Sequence, residues 1–129
     1  RLDGVTGVQT CALPIFFVNS ALSLFELSSR RQYTRDKKHT VVCVSLNASN
    51  IEELYVNWLN ELLSLSSVKQ LIFHNIKIDI LDDKKLEARC TGSSMVNYKV
   101  NIEIKAATYH RLKIAKVKDG WRAEVILDV

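Results

Sequence analysis

The side chains in this sequence that could do chemistry are few and far apart. Cysteines stand at 11, 43 and 90, histidines at 39, 74 and 110. Three cysteines without paired spacing make no zinc pattern, and an odd number fits a reducing compartment better than a disulfide framework. Cys43 lies inside the apolar run TVVCVSLNA and is expected to be inert core; Cys90, at a strand end, is expected to be a small filler. A nucleophilic thiol needs a base within hydrogen-bond reach, and the sequence places none beside either. His39 closes a charged segment and is expected to be solvated, whereas His74, between Phe73 and Asn75, could face either way. In IEIKAATYHRL, charged and apolar residues meet over a short span, so Lys105, Tyr109 and His110 could lie near one edge of a sheet, though not all on one face. The remaining candidate is Asp128, one residue before the end of WRAEVILDV. Strand periodicity puts it on one face with Glu124 and Ile126. Its carboxylate could be solvated, hold a cation or meet a partner. Hard cations take several oxygen ligands, usually from more than one element, so one carboxylate is not a site.

The elements that must position these groups come from a chain of 129 residues, 47% hydrophobic, which suits one folded domain. The formal charge is +4 and the isoelectric point about 9.0, a balance that admits contact with RNA or an acidic partner without requiring it. No run of eighteen apolar residues is present to span a membrane. Glycine-rich phosphate loops, paired-cysteine zinc patterns and calcium-binding loops are likewise absent from the sequence.

The opening RLDGVTGVQTCALPI has no periodicity that continues into residue 16 and beyond, and VTGVQTCALPI reads as the in-frame translation of a sequencing-library adapter. Residues 1–15 are therefore set aside, with Cys11 among them, and residues 16–129 are taken as the domain. FFVNSALSLFELS then places Phe17, Ala21, Leu24, Phe25 and Ser28 at helical spacing. A basic link, SRRQYTRDKKH, leads to a strand with Val42, Val44 and Leu46 on one face. Asn50 can cap the next helix, with Glu53 three residues on to complete a capping box. Its core face repeats as Ile51, Leu54, Tyr55, Trp58, Leu59, Leu62 and Leu65. LIFHNIKIDIL supplies strand material with Ile76, Ile78 and Ile80 on one side, and DDKK turns the chain toward Leu86–Cys90. TGSSMVN reads as a loop, with Gly92 expected to take unusual backbone angles. Strand material flanks KAATYH, and Lys118-Asp119-Gly120 turns into the last strand. The expected fold is α+β, two layers, with a mixed or antiparallel sheet of four or five strands backed by two helices.

Three segments, NIEELYVNWLNELL (50–63), EIKAATYH (103–110) and WRAEVILDV (121–129), resemble the archease family in order and spacing, and EIKAATYH is the most specific of them. The likeness runs from about Phe16 to the C-terminus. It implies a small cytoplasmic protein that binds a divalent cation, calcium foremost. Such a protein assists the RNA-splicing tRNA ligase in acquiring guanylate on its active-site histidine and in turning over. The guanylated histidine belongs to the ligase, so the resemblance implies an activator with no catalytic or cofactor-binding residues of its own, meeting RNA through the ligase complex. Carried over by position, the family's C-terminal acid is Asp128, a metal ligand, and Lys105, Tyr109 and His110 belong to the functional surface.

Two departures qualify this. The family opens with a Phe-x-His-Thr-Ala-Asp type of strand whose acid is a further metal ligand, and adapter-like sequence stands there instead. Ser93 follows Gly92 where the family has Glu, and Lys99 or Val100 stands near a family histidine. The expectation is a domain lacking its first strand, with weakened metal binding and stability. The alternatives are a small metal-dependent phosphoesterase, which would need at least two more convergent acids or histidines, and a direct RNA-binding module using RRQYTRDKKH. That stretch has one aromatic, Tyr33, and no repeated stacking pattern.

Overall fold

Residues 2–9, 12–32 and 34–129 are described by a computed structural model, the first stretch by its backbone alone. Arg1, Thr10, Cys11 and Tyr33 lie outside the described residues, and so do the sequence readings that fall on Cys11 and Tyr33. In chain order the elements are β1 (Leu2–Gln9), α1 (Leu13–Ser28), β2 (Ser29–Arg31), β3 (His39–Asn47), α2 (Ile51–Lys69), β4 (Leu71–Leu81) and β5 (Lys85–Ser94). A 3-10 turn at Met95–Asn97 comes next, then β6 (Tyr98–Val100), β7 (Ala106–Val117) and β8 (Gly120–Asp128). The class is α+β with antiparallel pairing throughout the described strands, in the orders β1-β8-β7, β3-β5-β4 and β2-β6. The single sheet expected from the sequence is thus divided into three.

Helix α2 starts where its chemistry predicts. The Asn50 side chain accepts a hydrogen bond from the Glu53 amide at 2.9 Å, satisfying one of the donors that a helix start leaves open. Leu54, Tyr55, Trp58, Leu59 and Leu62 are buried as their spacing requires, with Val56 buried beside them. Ile51 and Leu65 are half-buried at the rim. The helix closes at Gln70, which takes a left-handed conformation (φ 55°) and returns its amide to the Ser66 carbonyl.

Helix α1 begins at Leu13, with Pro14 in its first turn, where the missing amide costs nothing. Phe17, Ala21, Leu24, Phe25 and Ser28 are all buried, together with Phe16 and Ser20. The two helices meet through aromatics. Tyr55 stacks on Phe16 at 5.6 Å and meets Phe17 edge-on at 5.3 Å, and the Trp58 indole N–H donates to the Phe17 carbonyl at 3.0 Å. With α1 packed chiefly on β4 and α2 on β7, the helix pair joins the two three-stranded sheets around one core.

Several sequence expectations change here. In place of a missing first strand, Leu2–Gln9 runs antiparallel to β8, with Leu2 opposite Leu127 and Thr6 opposite Ala123. Cys43 is exposed rather than core, because Val42 and Val44 turn inward on β3 and the residue between them must point out. Ile80 is exposed because the register slips between Ile78 and Ile80, leaving Asp79 as an extra residue and reversing the faces beyond it. Thr91–Ser94 is strand rather than loop, and Gly92 serves a different need from the expected unusual angles. A Cβ there would lie 3.1 Å from the Leu71 Cβ and 3.2 Å from the Ile72 carbonyl oxygen, so glycine lets β4 approach β5. Among the described glycines the positive φ belongs to Gly120 (139°), the first residue of β8. The basic link is fixed in place by Asn97. This buried side chain accepts from the Arg35 and Asp36 amides at 2.9 and 3.0 Å and donates to the Asp36 carbonyl.

One buried polar atom lacks a partner among the described side chains, the Ser20 hydroxyl in the middle of α1. Ser20→Ala removes an unsatisfied group and improves helix propensity, so urea unfolding of that variant is expected to show unchanged or higher stability, by up to about 1 kcal/mol. Burial pushes the Cys90 thiol up to about 12, with the Cys43 charge adding to the shift. Alkylation of the native protein at pH 8 with peptide mapping should therefore modify Cys43 and spare Cys90.

Candidate functional site

The EIKAATYH segment lies along α2, and polar residues of the helix hold it there. β7 is an edge strand of its sheet, so residues facing away from β8 have unpaired backbone groups. At Ala107 the Asn60 side chain fills that gap from both directions. Its amide nitrogen donates to the Ala107 carbonyl at 3.0 Å and its oxygen accepts from the Ala107 amide at 2.7 Å. An amide side chain here does what a neighbouring strand would do. One turn earlier on α2, Asn57 accepts a hydrogen bond from the Tyr109 hydroxyl at 3.2 Å, and the Glu53 carboxylate lies one turn further. Desolvation raises the Tyr109 phenol above its ordinary range, and the Glu53 charge raises it further.

Asp128 ends β8 opposite Ala106, and its carbonyl accepts from the Lys105 amide at 2.8 Å. Backbone pairing thus brings Asp128 and Lys105 side by side at the end of the sheet. Ala123, Val125 and Leu127 are buried as the alternation read for β8 requires, and on the opposite face Glu124 and Asp128 are half-buried while Ile126 between them is buried too. Tyr109 and His110 lie further along. The register jumps from Thr108 opposite Ile126 to Lys113 opposite Glu124, so four residues, Tyr109 to Leu112, stand against Val125 alone. Arg111 sits inside this bulge at φ 55°, and Tyr109 and His110 are both exposed on it. A bulge of this size re-aims side chains out of the pleat and presents them to solvent.

On the other side of Ala107, residues 103–106 border a cleft of about 680 Å³ between the C-terminal halves of α1 and α2. Phe25, Leu63, Ile72, Met95 and Ile102 supply much of its wall, and Lys105 stands at its margin. The structure therefore spreads the four sequence candidates along one continuous feature, from Lys105 and Asp128 at one end to Tyr109 and His110 in the bulge. Asn57 and Asn60, which position that feature, escape a reading of the sequence alone. Their signal is a polar stripe, Glu53, Asn57 and Asn60, spaced by four and three along an otherwise apolar helix.

Around Ala107 and Asp128 the described residues show no nucleophile–base pair. The described His, Cys, Asp and Glu side chains include no group of three or more that could hold a metal ion. A calcium site needs six to eight oxygens, roughly, and Asp128 supplies one carboxylate. The donor set among the described residues does not fit that ion.

Comparison with known proteins agrees with this geometry. Residues 5–129 match the model of the Archease protein family. Protein archease of Methanosarcina barkeri is 30% identical over 120 residues, covering 88% of this chain and 80% of its own. Protein archease of Pyrococcus abyssi is 30% identical over 115 residues, covering 84% and 80%. Among solved structures, protein 1598 of Methanobacterium thermoautotrophicum superposes with a TM-score of 0.63 at 24% identity, over 98% of both chains. An archease of Thermotoga maritima, described as a possible chaperone, superposes at 0.62 with 18% identity, over all of this chain and 91% of its own. These two likenesses speak to fold, and the sequence matches speak to descent: the chain belongs to the archease family.

Proposed function

We propose that this chain is a non-enzymatic activator of the RNA-splicing tRNA ligase, acting in the cytoplasm, which promotes guanylation of the ligase's histidine and its turnover. The observation that carries the reading is the bulge of β7. The segment most specific to the family resemblance is anchored at Ala107 by Asn60, and beyond that anchor Tyr109 and His110 stand exposed on an irregular edge. Such an arrangement suits contact with a partner better than turnover of a small substrate. Lys105 and Asp128 complete the contact surface, and RNA is met through the ligase. The phosphoesterase alternative requires acids or histidines converging with Asp128, and the described residues include no group of three or more His, Cys, Asp or Glu that could hold a metal ion.

Because the donor set among the described residues does not fit calcium, no step of activation is routed through an ion. Asp128 is proposed as one oxygen ligand of a weakly held divalent cation. Millimolar calcium is then expected to stabilise the protein by less than about 1 kcal/mol, a shift of a few degrees in Tm. A large calcium-dependent rise that disappears in Asp128→Asn would show that the donors are complete after all.

The decisive assay is guanylation of a matched ligase, with ligase limiting and GTP present, in the presence and absence of this chain. Stimulation is expected. Tyr109→Ala and His110→Ala are each expected to need about tenfold more activator for the same effect, equivalent to losing one good polar contact. Their melting curves should stay near that of the parent, since both side chains are exposed. Asn60→Ala should lose stability by about 1–3 kcal/mol and activation with it, because it releases the backbone that carries the bulge. No stimulation by the folded parent chain would overturn the activator reading.

A further inference from the structure

A second cluster lies on the other large sheet. On the outward face of β3-β5-β4, three adjacent strands each bring one polar atom to the same point. His39 Nδ1 stands 3.3 Å from His74 Nε2, and the Ser93 hydroxyl oxygen stands 3.2 Å from the first and 2.9 Å from the second. The convergence is built into the strand register. His39 is paired opposite Ser93, and His74 is the extra residue of a bulge between Phe73 and Asn75. Gly92, by allowing the close approach of β4 and β5 there, makes room for that bulge. Both imidazoles are exposed, while Ser93 is buried beneath them.

The triangle gathers two ring nitrogens and a hydroxyl oxygen at one point. Each ring nitrogen offers either one N–H or one lone pair, and a hydroxyl offers one hydrogen. When Ser93 donates to one ring and accepts from the other, the nitrogen–nitrogen edge is left as the long branch of a three-centre bond at 3.3 Å. Two nitrogens bound at about 2.0–2.1 Å to one tetrahedral ion stand about 3.3 Å apart. That is the separation of His39 Nδ1 and His74 Nε2, 3.3 Å.

We propose that His39 and His74 form a binding site for a divalent ion of the zinc class, with Ser93 beside it and water completing the shell. Imidazole selects borderline ions such as zinc, copper(II) and nickel over calcium, so this site is separate in chemistry and in place from Asp128. Each ring binds through its facing nitrogen and keeps its proton on the other. The charge of Arg31, which bears on His74, opposes a cation. The affinity is therefore that of an imidazole pair, in the micromolar range, rather than that of a four-ligand structural zinc. The bound ion would fasten the start of β3, where the basic link enters the sheet, to β4.

The test is zinc titration by calorimetry in a Cys11→Ser, Cys43→Ser background, which removes the competing thiols. One equivalent is expected to bind, weakened by more than about tenfold in either His39→Asn or His74→Asn, since even outer-shell changes cost that much at such sites. His110→Ala should bind as the parent does, and excess calcium should not compete. Copper(II) loaded at one equivalent should show the electron-paramagnetic signature of two imidazole nitrogens, falling to one or none in each His39 or His74 variant. Thermal melts of the metal-free variants identify any that fail to fold. Absence of zinc binding in the background protein, or binding retained in both asparagine variants, would overturn the site.

Discussion

A buried indole must place its one N–H inside the protein, and in this fold that requirement ties the two helices together. Trp58 is fully buried and donates to the Phe17 carbonyl, a group on the neighbouring helix. Leaving such a donor unpaired would cost on the order of 1–3 kcal/mol, so the bond sets which turn of α1 lies beside which turn of α2. Phe16, Phe17 and Tyr55 then fill the space around it with stacked and edge-on contacts. Each of the two three-stranded sheets packs against this pair. The mutual position of the β7–β8 surface and the β3-β5-β4 face is set by the helix contact.

Helix α2 works on two sides at once. Its broad apolar face closes the core, and its narrow polar stripe of Glu53, Asn57 and Asn60 guides β7. The Asn60 side chain covers a backbone edge that would otherwise invite pairing with another chain. Beyond it the strand is free to bulge. The proposed partner surface thus depends on a rigid helix whose own polar residues never need to touch the partner.

Irregularities in the strands fall where chemistry is placed. The slip at Tyr109–Leu112 exposes the resemblance motif, and the slip at His74 brings an imidazole over Ser93. The slip at Asp79 turns a carboxylate toward Arg89, which donates through Nε at 3.0 Å and Nη2 at 2.8 Å. That pair holds the Asp79 carboxyl below the usual carboxylate range, but both side chains are exposed and solvent screening leaves it little weight in stability. Regular pairing at these positions would have returned all three side chains to the pleat.

By itself, the sequence determined the two helices, the Asn50 cap, the inward face of β3, the alternation of β8 and the turn before it. Each rests on a local rule, periodicity or capping or turn chemistry, that acts over a few residues. It also carried the family resemblance, and with it Asp128, Lys105, Tyr109 and His110. Only the tertiary structure decided what depends on register and on distant partners. Ile80 changes face, and the open orientation of His74 is settled, because bulges insert residues that no alternation pattern announces. Gly92 answers to the closeness of Leu71 and Ile72, and Asn97 to a link some 60 residues earlier. Cys43 could have been placed outward from its neighbours' alternation alone, but an apolar composition concealed it. The meeting of His39 with His74, 35 residues apart, needs three strands in register before it exists. A side chain's type is written in the sequence, but the atom it faces across a sheet is fixed only when the strands have paired.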